Sequence, residues 1–146
     1  MHWHAYLWTG NGAERGREAE RRPGSPDFST SPLPPMRTGD WLAKPAARVA
    51  ATFEVPEPAT GWLAAEYGKT SDQLRPPEGI PLGERLATAL DLLPRGVDVQ
   101  WGEWLQSARF LTIGVICCPN RHVAHPCPIN RPPRTKVPFS PKALDV

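Results

Sequence analysis

The sequence predicts an α+β fold: two or three short helices followed by a small antiparallel β-hairpin or sheet, between disordered Pro-rich tails. Apolar residues recur at helical spacing through the middle of the chain, and the period switches to alternation after Gly96. The stretch 11–39 is dominated by Arg and Glu and then by Pro, Ser and Gly, and the C-terminal tail is Pro-rich and mildly basic. The boundaries that follow are a disordered or weakly structured extension over 1–39, one small α+β domain over 40–128 and a disordered Pro-rich tail over 129–146. With 19 prolines, 12 glycines and 40% hydrophobic residues in 146, the core is expected to be modest.

The first ten residues, MHWHAYLWTG, are apolar and aromatic, a patch that needs cover from this domain or another chain. They lack the basic start and small-residue cleavage site of a secretion signal. His2 and His4 there are read as incidental. The next stretch, 11–39, intermixes Arg and Glu and then turns to Pro, Ser and Gly, with too little apolar surface to offset the entropy of ordering. Met36 stands directly before the first core-like segment as an alternative start, and nothing ahead of it is expected to be needed for folding.

The spacing of Leu42, Ala46, Val49 and Phe53 predicts a first helix, with Pro45 in its first turn and Pro56 and Pro58 as its end. A second spans 60–68, with Thr60 as N-cap and Gly68 as stop. A third carries Leu82, Leu86, Ala89, Leu90 and Leu93 on one stripe and ends at Pro94 and Gly96. Val97, Val99 and Trp101 then alternate with Asp98 and Gln100, the pattern of a half-buried strand. The β-branched run 109–117 reads as a second strand, and 102–108 as the connection that pairs the two antiparallel. Two strands alone are marginal, so a third pairing or a partner's strand is needed.

Several function classes fall away. A net charge of +2 does not argue for nucleic acid or an anionic membrane. The longest apolar run, 110–118, is about half a membrane span. An odd number of cysteines, three, fits a reducing compartment better than a disulfide framework, so the expectation is a soluble cytoplasmic protein. No carboxylate pair has acid–base spacing, and no glycine loop is built to cradle phosphate. The small–Gly–apolar spacing of Ala64, Gly68 and Leu74 suits a helix-turn-helix, but Pro76 and Pro77 stop the second helix too early to cross a groove.

Two candidates remain. The stretch CCPNRHVAHPCP offers Cys118, His122, His125 and Cys127, ligand types that zinc prefers. Against zinc, all four fall within one short turn, whereas structural sites join ligand pairs a dozen or more residues apart. The preferred reading is structural: Cys117 packs at a strand end and Pro119-Asn120 turns the chain. The second candidate is Trp104, placed in the connection as an exposed anchor for a protein partner. Together these predict a non-catalytic protein-interaction or regulatory binding module with no required cofactor. The alternative is a zinc-supported nucleic-acid-binding or regulatory module using the 118–127 turn, and the third choice is an enzyme with a cysteine nucleophile.

Overall fold

The computed structural model describes residues 1–77 and 79–130. The expected tail, apart from 129–130, lies outside them. Four strands form one antiparallel sheet in the order β2-β1-β4-β3. They are β1 His2–Asn11, β2 Ala51–Phe53, β3 Val99–Trp104 and β4 Arg109–Cys118. Two α-helices, α1 Pro56–Gly68 and α2 Leu82–Leu92, come between β2 and β3 in the chain. The α+β class stands, but the order of helices followed by a hairpin does not. The chain starts with a strand, and that strand lies inside the sheet.

β1 pairs with β4 along its whole length, from His2 opposite Cys118 to Asn11 opposite Arg109, and with β2 on its other edge. It supplies the extra pairing that a bare hairpin would lack. Residues 1–39, expected as a weakly structured extension, therefore carry a central strand, and they also bury Phe28 and Leu33. The segment was hard to read because both faces of β1 are covered. Trp3 and Ala5 pack on one side and Tyr6 and Trp8 on the other, so no polar–apolar alternation marks the strand.

The expected helix through Leu42 and Phe53 is instead two 3-10 turns, Thr38–Ala43 and Ala46–Arg48, followed by β2. Pro45 explains the break. A proline disfavours helical backbone in the residue before it, and Lys44 is extended (φ −70°, ψ 156°). Pro56 and Pro58 open α1 where they were expected to close its predecessor, because the first turn has N–H groups with no intrahelical partner to lose. Thr60 does not cap that helix; its hydroxyl donates to the Glu57 carbonyl inside it. α2 ends in a 3-10 turn, Leu93–Arg95, closed by Gly96 at φ 78°.

β3 extends through Trp104, so the connection to β4 shrinks to 105–108 with Ser107 and Ala108 at φ 62° and 58°. Tight hairpin turns usually announce themselves by Asn-Gly or Asp-Gly, and neither occurs in 105–108.

Each face of the sheet has its own core. On one, Trp3, Ala5, Trp101, Ile113, Val115 and Cys117 meet Leu63, Tyr67, Ala89 and Leu93 of the helical layer. On the other, Tyr6, Trp8, Ile116 and Cys118 meet Leu33, Trp41 and Leu42 from the 3-10-rich segment. Tyr6 stacks on Trp41 at 4.8 Å between ring centroids, and the Trp41 indole N–H donates to Gln100 Oε1 at 2.8 Å. Cys117 and Cys118 thus face opposite layers, as strand alternation requires.

Candidate metal centre

His2 and His4 are two residues apart on β1, so both imidazoles emerge on the same face of the strand. Cys118 sits directly across from His2 at the end of β4 and shares that face. The chain then turns. The Asp98 carboxylate accepts from the Cys117 amide at 2.8 Å and from the Asn120 side chain at 2.9 Å, and Asn120 Oδ1 accepts from the His122 amide at 3.0 Å. This network directs 119–126 back over the sheet and delivers Cys127 to the two histidines.

The ligand atoms of His2, His4, Cys118 and Cys127 all lie within 4.8 Å of one another. His2 Nε2 and His4 Nε2 are 3.1 Å apart, and Cys127 Sγ stands 3.4 Å from the first and 3.5 Å from the second. Ordinary zinc bond lengths at tetrahedral angles put two nitrogens about 3.3 Å apart and a nitrogen and a sulfur about 3.6 Å apart. Three edges of the cluster therefore match a zinc-sized tetrahedron to within about 0.3 Å.

The surroundings suit ligation. His4 is fully buried, and its Nδ1 lies 2.9 Å from Thr52 Oγ1, the residue opposite it on β2. That contact orients the ring and leaves Nε2 for the centre, the arrangement of a supporting second partner at metal-bound histidines. Burial, with the neighbouring His2 second, pushes the His4 pKa down to about 4, so the ring is neutral at physiological pH. Burial, then the Cys127 sulfur, pushes the Cys118 thiol up to about 11. Burial and Asp98 push Cys117 to about 12. With no ion bound both thiols hold their protons, the opposite of what an activated cysteine nucleophile needs, and an ion at the cluster would displace the Cys118 proton on binding.

Of the four candidate ligands weighed in the sequence, the structure brings together Cys118 and Cys127 and leaves out His122 and His125. His122 is exposed beyond the Asn120 turn. The His125 ring N–H donates to Asp40 Oδ1 at 2.8 Å and serves a buried carboxylate. His2 and His4, read as incidental, take their places. The objection that all ligands fell within one turn disappears, because the pairs lie more than a hundred residues apart in sequence. The usable signal was His-x-His, which on a strand presents two imidazoles to one face.

Trp104 is 39% exposed at the end of β3. It meets the edge of Phe110 at 5.0 Å, with the Arg75 guanidinium 5.0 Å from its own ring and that of Arg15 3.8 Å from the Phe110 ring. Among the described residues Arg15, Arg75 and Arg109 have no carboxylate partner. No described helix is long and apolar enough to cross a membrane. No protein-family model, curated protein or solved structure matches the chain.

Proposed function

We propose that this chain is a small non-catalytic binding module held in shape by a structural zinc ion at His2, His4, Cys118 and Cys127. One observation carries the reading: the three nitrogen–nitrogen and nitrogen–sulfur edges of 3.1, 3.4 and 3.5 Å, which fit tetrahedral zinc. Four protein ligands of the Cys2His2 type leave no open position for water or substrate, which favours structure over catalysis. The ion ties the start of the central strand to the turn that follows the last one. Untagged protein should contain one equivalent of zinc by elemental analysis, and cobalt substitution should give the absorption of a tetrahedral site with thiolate ligands. Loss of the metal in His4→Ala, with retention in His122→Ala and His125→Ala, is the expected pattern. Full zinc retention in His4→Ala would sink the assignment.

The binding surface we assign to this module is the edge around Trp104, for a protein partner. An exposed tryptophan among arginines without carboxylate partners has the composition of an interface hot spot. Nucleic acid is the less favoured partner. The chain carries 17 Lys and Arg against 15 Asp and Glu, too small an excess to line a phosphate track.

A further inference from the structure

Resting on the zinc reading, we propose that the centre is redox-released: a peroxide converts Cys118 and Cys127 to a disulfide and expels the ion. The pairing is specific. Both sulfurs belong to the ligand cluster, whereas Cys117 Sγ faces the helical layer, 4.0 Å from the Leu93 carbonyl oxygen. Strand alternation keeps Cys117 and Cys118 on opposite faces, so the vicinal pair is the wrong one to join. Cys127 is the half-buried thiol and Cys118 the buried one, which makes Cys127 the sulfur an oxidant meets first. Closing from within 4.8 Å to a bonded distance of about 2.05 Å requires movement. Cys127 lies outside regular secondary structure and supplies that movement, while Cys118 stays fixed in β4.

The chemistry balances without a further reagent. The Cys127 thiolate attacks one peroxide oxygen, the O–O bond breaks, and a proton carries the leaving oxygen off as water, leaving a sulfenic acid. The Cys118 thiolate then attacks the Cys127 sulfur, the S–O bond breaks, and a second proton takes hydroxide away as water. Two electrons pass from the sulfurs to the peroxide, and the centre loses both anionic ligands. His2 and His4 alone are two neutral donors and hold the ion far more weakly. Thiols and zinc restore the starting state.

The experiment uses full-length, untagged protein whose zinc content is measured first, treated with excess hydrogen peroxide in the presence of a chromogenic chelator. Nearly complete zinc loss is expected, in step with the loss of two hydrogens from the intact mass and a Cys118–Cys127 peptide on mapping. Reductant followed by zinc should reverse both changes. Cys117→Ala should behave as the wild type, and Cys127→Ser should form no disulfide. A disulfide that includes Cys117, or zinc retained while the thiols gain oxygen atoms, would overturn the proposal. Protein that takes up no zinc but still forms the Cys118–Cys127 bond would refute the zinc reading, and with it the release, while the specific pairing of the two thiols would stand.

Discussion

Lys44 is fully buried with its ammonium aimed at two backbone carbonyls, Phe28 O at 2.7 Å and Ser31 O at 2.8 Å, and 3.9 Å from the Phe28 ring. It ties the 28–31 turn to the segment that carries Trp41 and Leu42. Burial, followed by repulsion from Arg48, pushes its pKa down to about 8 from an unfolded value near 10.5. The sign follows from proton counting. Between about pH 8 and 10.5 the unfolded chain keeps this proton and the folded one releases it, so stability rises with pH across that window. Below it both states are charged and the slope vanishes. Denaturation midpoints of the wild type relative to Lys44→Met should be level below pH 8 and climb above it; a level difference throughout would refute the burial argument. Side-chain placement on α2 and the 3-10 turn that ends it gives a second contrast. Leu93 is fully buried while Leu90, one place along the expected stripe, is 42% exposed. Leu93→Ala should cost about 2–5 kcal/mol in chemical denaturation and Leu90→Ala under about 0.5 kcal/mol. Equal costs would mean that the helix is rotated from the position described.

Among the elements, β1 decides how much of this molecule is legible in its sequence. α2, β3 and β4 could be read because each has a single dominant period and clear stop residues, Gly96 above all. β1 could not, since a strand covered on both faces shows no alternation, and the cover of one face is drawn from a segment with no period of its own. That segment, 12–50, folds over the sheet in 3-10 turns and loops, anchored by single large residues such as Phe28, Leu33 and Trp41. Anchors of that sort leave no pattern for a window to find. The centre shared this fate: its cysteines were in view, but its histidines depended on knowing that β1 pairs with β4. An element in the middle of the sheet also makes a strong prediction. Deleting 1–11 removes the strand that lies between β2 and β4 in the sheet, strips Trp3, Ala5, Tyr6 and Trp8 from both cores, and should abolish cooperative unfolding by calorimetry. A truncated chain that still melts in one sharp transition would show that β1 is an accessory strand.

At the scale of the whole molecule, the sheet is covered on both faces, and the proposed metal centre, the cluster of His2, His4, Cys118 and Cys127, sits at one end, where β1 begins and β4 stops. Many small zinc modules are unfolded without metal because the ion replaces a core they lack. Here the two cores are substantial and, although Cys118 belongs to the second, rest mainly on other residues: Ile113, Val115, Leu63 and Leu93 on one side, Tyr6, Trp41 and Leu42 on the other, are all fully or almost fully buried. The turn 119–127 is different. It is held by the Asp98–Asn120 network near its start, by the His125–Asp40 contact and by Cys127 at the centre. Removing zinc should therefore loosen one end and leave the fold standing. Hydrogen exchange after chelation should speed up at 2–4 and 118–127 and stay slow at 111–116, with a lower but still cooperative melting transition. The His125–Asp40 contact should then matter more. Burial alone would raise the Asp40 carboxyl, yet hydrogen bonds from Arg37 and His125 hold it below the usual range, so its stabilising share is present at neutral pH and is lost on acidification. The metal-free protein should accordingly show its 118–127 amides opening further as the pH falls into the carboxylate range, an effect His125→Ala removes. Global unfolding on chelation at neutral pH would contradict the claim that the two cores suffice, and unchanged exchange at 118–127 would contradict the placement of the centre.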